Sequence, residues 1–592
     1  MTSLKKQINK FISEYQVINH EQEKKKADNL IKENPYEIEL LQAIGILFIK
    51  NKKIKDACVI FNKILDVNPQ HIDTLINIGT AYYELNKLDQ ALEYLVKAKG
   101  FNKKQSEIYF ILGLVYEKSK NLDKALFNYK QSIKYNSQNI DALTNLGNIY
   151  LHNKDYNNAI NIYEKVIKFK PNDPNIFHNL GIIFTQLNDF EKAINLYTKS
   201  EELESNNALT FYNLGYLLAK NFKFSESIAN YKKAININPN NPKFYYNLAL
   251  AEIELGEYFS AIANYKKAIS ITADYTAAKY NLARLNLSTE NFSEGWRDYE
   301  IRHDSDIVPS RVKHFLNLNQ WNGKTFDGTL FVHGEQGIGD LILHSSMIAD
   351  LYKIHPNICL TVDERLVSLF TRSFKHIDIK SYISNLNYKD NDCHIPLASL
   401  GSFLRQSIDD FPQQPKSYMV PNPEKVNYFQ NILSHNKKLK IGVSWQTIGK
   451  KGLKRNISLH QMAKFLTLKD VEFINLQYGD TVEEREQFKT DYGIEILNFD
   501  DLDLMNDFEG LAALMTSCDL IITISNVTAH FAGALGKRAW VIVPIYTQWH
   551  WFHERTNSLW YPNVTLFRQQ QYGKWDTIID KIYKELLYIL KN

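Results

Sequence analysis

Two short stretches carry the residues best suited to chemistry. One is His333-Gly-Glu-Gln-Gly-Ile-Gly-Asp340; the other is Ile524-Ser-Asn-Val-Thr-Ala-His-Phe-Ala-Gly-Ala-Leu-Gly536. Each follows a short apolar run that reads as a buried strand, and each opens a segment with helical spacing. The space beyond the carboxyl end of a strand is where open α/β sheets place ligands. In the second loop, backbone N–H groups at a helix N-terminus favour a phosphate or diphosphate. Ser525, Asn526 and Thr528 add neutral donors there, and His530 is placed to stabilise a leaving group. In the first loop, Gly337 and Gly339 lead to Asp340, at or near a helix N-cap, where a plain capping aspartate is worth ~1 kcal/mol. Lys450, Lys451, Lys454 and Arg455 form a basic loop. Fixed cations beside a departing phosphate lower a barrier electrostatically; a solvated charge run is the alternative. Gln446 and Gln477, at strand ends, are further candidates for ligand contact. Trp549, Trp551, Trp560 and Tyr561 either stack on a ring-shaped ligand or pack the core. Asp501-Leu-Asp503 mimics a metal-binding pair but sits in a polar loop, and no metal is expected.

The elements that must position these residues are short apolar runs. Beyond those at 329–333 and 520–524, strands are expected at 358–362, 377–380, 439–445, 471–477 and 539–544. One helix is expected over 341–352 and an amphipathic one over 575–590. Two α/β lobes follow, at 325–425 and 426–592, with a cleft between them.

Before residue 300 the pattern changes. Gly45, Gly79, Gly113, Gly147, Gly181 and Gly215 are each 34 residues apart, and Ala249 and Ala283 keep the register. Ala91, Ala125, Ala159, Ala193, Ser227 and Ala261 repeat twelve residues later, and Tyr82, Tyr116 and Tyr150 share an aromatic position. Small residues are needed where antiparallel helices touch, and Pro69, Pro171 and Pro239 stop the second helix of a pair. This resembles the tetratricopeptide repeat over roughly residues 10–300, with 301–324 as a linker. Asn77, Asn145, Asn179, Asn213, Asn247 and Asn281 precede the small residue by two positions, with Ile111 interrupting the series. Amides offer a donor and an acceptor, so a row of them can hold an extended peptide by its backbone. It resembles the asparagine ladder of the O-linked N-acetylglucosamine protein transferases; asparagine is also common at this position in tetratricopeptide repeats generally, and ordinary usage is the stronger of the two readings.

The 592 residues exceed one ordinary core, and a net charge of +4 argues for neither a nucleic-acid binder nor an acidic tail. Cys58, Cys359, Cys393 and Cys518 form no CxxC pair and read as reduced thiols. The opening Met1-Thr-Ser-Leu-Lys-Lys is unlike a signal peptide, and no run approaches ~18 apolar residues. A cytoplasmic protein without a membrane span is expected.

The segment 325–592 resembles glycosyltransferases of the GT-B fold, specifically the heptosyltransferase-like group and its branch with N-terminal tetratricopeptide repeats. Gly334-Glu-Gln-Gly-Ile-Gly-Asp340, Gly442-Val-Ser-Trp445, Ala529-His-Phe-Ala-Gly-Ala-Leu-Gly536, and Ser558-Leu-Trp-Tyr-Pro562 with Leu566-Phe-Arg-Gln569 carry the resemblance. It implies an α-solenoid followed by two Rossmann-like lobes, the first on the acceptor side and the second binding a nucleotide sugar without a metal. It implies Asp340 as the base of an inverting transfer, aided by His530. The donor side would comprise Gly337, Gly339, Ser444, Gln446, Lys454, Arg455, Gln477, Ser525, Asn526 and Thr528. Many relatives have Asp-Thr where this chain has Ser525-Asn526, which bears on donor choice. The acceptor peptide would lie on Asn145, Asn179, Asn213, Asn247 and Asn281. Some members of the branch glycosylate flagellin, so flagellin is one acceptor the resemblance implies. A protein O-glycosyltransferase is therefore the leading expectation. A transferase acting on lipopolysaccharide or polysaccharide and a non-catalytic repeat adaptor stand beside it.

Overall fold

A computed structural model describes residues 3–15, 20–203, 206–303, 315, 317–384, 386–412, 417–447 and 455–592. Eighteen helices precede residue 300 among these residues, and the α/β elements follow. From Ile38–Lys50 and Ile54–Val67 onward the helices come in pairs, the last being Thr276–Ser288 and Phe292–Tyr299. The turn inside each pair has one residue at positive φ, at Lys52, Asn86, Lys120, Lys154, Asn188, Phe222, Gly256 and Glu290. Only one of these is glycine, so most repeats carry the steric cost of a left-handed residue at that point.

The chain divides by compactness into residues 1–217 and 218–592. Within the first unit, small residues and large rings alternate by design of the repeat. A Cβ on Gly147 or Gly181 would stand 2.7 Å from the ring of Tyr163 or Tyr197, and the ring of Tyr129 fills the same space at Gly113. These tyrosines are fully buried and recur every 34 residues.

The second unit holds the last repeats and two parallel sheets. Strands β1 (Asn319–Gln320), β2 (Leu330–His333), β3 (Ile358–Val362), β4 (Asp378–Ser381) and β5 (Cys393–Pro396) form the first, in the order β1-β5-β2-β3-β4. Strands β6 (Leu439–Ser444), β7 (Val471–Asn475), β8 (Leu520–Ile524), β9 (Ala539–Val543) and β10 (Val564–Arg568) form the second, ordered β10-β9-β8-β6-β7. All pairings are parallel. β2, β3, β8 and β9 are buried along their whole length, as strands covered on both faces must be. The chain order reverses between β2 and β5 in one sheet and between β6 and β8 in the other. Both candidate loops thus leave strands at topological switch points, where crevices form.

The final helix spans Asp576–Lys591, close to its expected place. The helix expected over 341–352 is instead two, Ile338–Ser345 and Ile348–Ile354. Strands β1, β5 and β10 were not anticipated. One hydrophobic core joins Ala283, Leu287, Phe292, Trp296 and Tyr299 of the last repeat to both sheets. Trp296 is fully buried, its ring occupies the space where Gly401 lacks a Cβ, and its Nε1 donates to the Arg405 carbonyl at 2.8 Å. No helix among the described residues is long and apolar enough to cross a membrane, and all four cysteines are free.

Candidate functional site

Asp340 lies in the first turn of the helix Ile338–Ser345, whose N-cap is Gly337. It is therefore three residues inside the helix, not at the cap. From there its carboxylate folds back toward the Gly337 N–H. The side chain keeps partial solvent access, yet protein surrounds it closely. That desolvation raises its pKa to about 6, against the pull of Arg284, the Gly337 and Asp340 N–H groups and Arg455. Desolvation wins, and the carboxylate is a stronger base than an ordinary aspartate.

Gly339 explains how the two loops meet. A Cβ there would lie 2.8 Å from His530 Cδ2 and 3.4 Å from its Nε2. The absent side chain lets the helix Ile338–Ser345 approach the helix Val527–Ala534. Gly337 is exposed, and the atom nearest to its missing Cβ is Asp340 Oδ2, at 3.7 Å. His530 is buried, stacks on Trp551 at 5.4 Å, and shares a hydrogen bond of 3.2 Å between Nδ1 and the Tyr561 hydroxyl. Burial, with Arg455 adding to it, lowers its pKa to about 3. It is neutral at pH 7, so it can donate a hydrogen bond but not a full charge. His344 is likewise driven down to about 3, and His550 falls well below its ordinary value.

The second loop is knitted inward. Asn526 caps its helix by accepting from the Thr528 N–H at 3.0 Å, and its amide donates to Ser444 Oγ at 2.8 Å and the Gln446 carbonyl at 3.2 Å. Gln477 Oε1 accepts from Ser444 Oγ, the Trp445 N–H and the Gln446 N–H at 3.0, 2.8 and 2.7 Å. Gln446 Nε2 donates to Glu484 at 2.7 Å. Ser525 Oγ donates to Gln548 at 2.6 Å and accepts from Trp551 Nε1 at 2.7 Å. Ser444, Gln477, Ser525 and Asn526 are buried, and their side chains lock the ends of β6, β7 and β8 together. Thr528 differs: its Oγ1 is buried with no hydrogen-bond partner among the described residues. Arg455 donates to the Ser525 carbonyl at 3.0 Å and remains half-buried beside Asp340. Lys450, Lys451 and Lys454 lie outside the described residues.

The tryptophan cluster is packing. Trp549 meets Trp296 edge-on at 5.3 Å and Trp560 at 6.1 Å, and Tyr561 covers Gly533. Asp503 caps the Met505 and Asn506 N–H groups at 2.9 and 3.2 Å. No group of His, Cys, Asp and Glu suited to a metal occurs among the described residues.

The asparagines have partners too. Asn145, Asn179 and Asn213 donate to the hydroxyls of Tyr129, Tyr163 and Tyr197 at 3.3, 3.2 and 3.2 Å. Asn281 donates to the Tyr246 hydroxyl at 3.1 Å, whereas Asn247 bonds back to the Lys243 carbonyl at 3.0 Å. These asparagines are half-buried; Asn145, Asn179, Asn213 and Asn281 brace another helix, whereas the bond to Lys243 stays within the helix Pro242–Glu254.

Some residues here were not read from the sequence. Arg284, on the last repeat, lies within electrostatic range of Asp340. Arg302 bonds Glu335 at 3.1 Å, Glu300 at 2.8 Å and Ser399 at 2.6 Å, and Gln336 donates to the Tyr299 hydroxyl at 3.0 Å. The buried tyrosines were visible as a 34-residue series; Arg284 and Arg302 had no such signal.

Comparison with known families agrees on the repeats. A model described as TPR repeat matches residues 147–185, 181–221 and 223–252. Two models described as tetratricopeptide repeat match 128–161 and, separately, 72–105, 106–139 and 242–275. The chain therefore contains tetratricopeptide repeats, followed by an α/β region with parallel sheets. Protein FlbA of Caulobacter vibrioides is 28% identical over 325 residues, covering 50% of this chain and 52% of that protein. The chain thus spans about half the length of this curated relative. Among solved structures, the C-terminal part of a TPR repeat-containing protein from Cytophaga hutchinsonii is 20% identical, covering 40% of this chain and 96% of its own, at a TM-score of 0.34. PilF of Pseudomonas aeruginosa is 18% identical over 36% of this chain and 96% of its own, at 0.33. These two likenesses are partial and bear on nothing beyond the repeats.

Proposed function

We propose that the protein is a GT-B glycosyltransferase that moves a sugar from a nucleotide-sugar donor to serine or threonine hydroxyls of an acceptor protein, with inversion. The observation that carries this is Asp340: a carboxylate at a switch point, raised to about 6 by desolvation and flanked by Arg284 and Arg455. A general base works best with a pKa near the operating pH. Asp340 takes the acceptor hydroxyl proton as that oxygen bonds the anomeric carbon. The bond from that carbon to the donor phosphate breaks, and its electron pair leaves on the phosphate oxygen. Arg455, the unpartnered Thr528 hydroxyl and the N-terminus of the helix Val527–Ala534 receive that charge. The tetratricopeptide repeats support a protein acceptor, for which Asn145, Asn179 and Asn213 in the first unit and Asn247 and Asn281 in the second are the proposed contacts. Flagellin is the acceptor that the resemblance suggests, and a cytoplasmic location follows from that role.

One observation favours a second reading. Ser444, Gln477, Ser525 and Asn526 have internal partners, which suits a repeat adaptor with a structural α/β region. A thermal-shift panel of nucleotides and nucleotide sugars separates the two. All eight tryptophans lie at or beyond Trp296, so their fluorescence follows the α/β region. A ligand at ~100-fold above its dissociation constant adds about 2.7 kcal/mol. A selective shift supports the transferase; no shift from any of them in a folded sample returns the adaptor.

A further inference from the structure

We infer that the repeat array supplies a residue to the reaction centre itself: Arg284 binds the phosphate of the nucleotide donor, together with Arg455. This rests on the nucleotide-sugar reading above and extends it to a residue outside both sheets.

Arg284 sits on the helix Thr276–Ser288, which is fixed against the α/β region. Ser288 Oγ and His553 Nε2 share a hydrogen bond of 2.8 Å, and the His553 N–H donates to the Ser288 carbonyl at 3.0 Å. Glu290, in the next turn, pairs with Arg555 at 2.6 Å. The helix therefore delivers Arg284 with little freedom. Its guanidinium lies 5.5 Å from the Tyr280 ring, which stacks on Tyr299 at 5.9 Å. It is half-buried and within electrostatic reach of Asp340, Tyr299 and Tyr546, and Arg455 lies within its own reach.

Its neighbours show what it lacks. Arg302 has Glu335 and Glu300, Arg405 has Asp350, and Arg555 has Glu290, all within 3.1 Å. Among the described residues no carboxylate pairs with Arg284 within 4.0 Å, nor with Arg455. Glu335, in the loop before Asp340, and Glu300 are paired with Arg302. Burial lowers the pKa of Arg455, while at Arg284 the nearby Tyr546, Tyr280, Tyr299 and Asp340 outweigh burial and hold the group charged; two guanidiniums within electrostatic reach of one carboxylate leave positive charge for an incoming anion. The planar five-donor fork of arginine matches phosphate oxygens. A donor phosphate between Arg284 and Arg455 would also stand beside Asp340, where the sugar carbon must be attacked.

The test uses the full chain and its Arg284→Ala and Arg284→Gln variants, with folding checked by tryptophan fluorescence. UDP, GDP, ADP, TDP and CMP are titrated calorimetrically against each, alongside the matching nucleosides. For whichever nucleotide binds wild type, both variants are expected to raise Kd at least tenfold, while nucleoside affinity stays within twofold. If one variant fails to fold, the other decides. Nucleotide affinity within twofold of wild type in a folded variant would overturn this inference and leave the transferase reading standing. Equal losses for nucleotide and nucleoside would overturn it as well, because they mark a shape change rather than a lost phosphate contact. Wild type binding none of the five nucleotides would overturn the transferase reading and this inference with it.

Discussion

Replacing Asp340 by asparagine tests for a desolvated carboxylate, because removing a charge held out of water raises stability, whereas exchanging one good helix-capping residue for another leaves it unchanged. Moving a carboxyl from 3.8 to about 6 on folding corresponds to about 3 kcal/mol of unfavourable ionisation. The folded state binds the proton more tightly than the unfolded one. The penalty is absent below pH ~4, grows between pH ~4 and ~6, and is complete above that. Asparagine keeps a carbonyl oxygen for the Gly337 N–H but carries no charge. Asp340→Asn should therefore stabilise residues 218–592 by about 1–3 kcal/mol at pH 7.5, with the gain falling to about a third of that at pH 4.5 and vanishing only below pH ~4. Transfer activity should be abolished, and in wild type it should rise with pH through about 6 as the base ionises. The assay is denaturant unfolding followed by tryptophan fluorescence at pH 4.5, 6.0 and 7.5. A variant of unchanged or lower stability at pH 7.5, with no pH dependence, would refute the reasoning, because asparagine caps a helix about as well as aspartate. So would retention of wild-type turnover.

Two further outcomes follow from the packing. Trp296→Ala should lower the stability of the α/β region by about 3–5 kcal/mol, the range for a fully buried aromatic truncated to alanine. The seven remaining tryptophans report it, and an unchanged unfolding midpoint would show that the last repeat is not part of that core. Asn179→Ala removes amide bonds to the Tyr163 hydroxyl and to Asn148 and should cost ~1 kcal/mol. Far-UV circular dichroism of the full chain should show an earlier repeat transition; an unmoved transition with weakened acceptor capture would make this asparagine a peptide contact alone.

The repeats were legible because their physics is local and recurrent. A helix pair that must touch closely needs a small residue at Gly113, Gly147 and Gly181, and the 34-residue spacing displays it. The two loops were legible for a related reason: an apolar run, glycine or hydroxyl residues and a helix start are all neighbours in sequence. β5 and β10 were hidden. Cys393-His-Ile-Pro396 is four residues with no alternation, and its burial comes from flanking strands rather than its own pattern. By itself, then, the sequence determined the repeat architecture, the parallel α/β character and the place of Asp340 after β2. Only the tertiary structure decided which polar groups face inward, since Ser444, Gln477 and Asn526 meet only when β6, β7 and β8 lie side by side. It also decided the state of Asp340. That pKa arises from desolvation and from two arginines brought in by separate elements, one of them a repeat helix. Long-range field and burial belong to the assembled fold and leave no periodic mark on the chain.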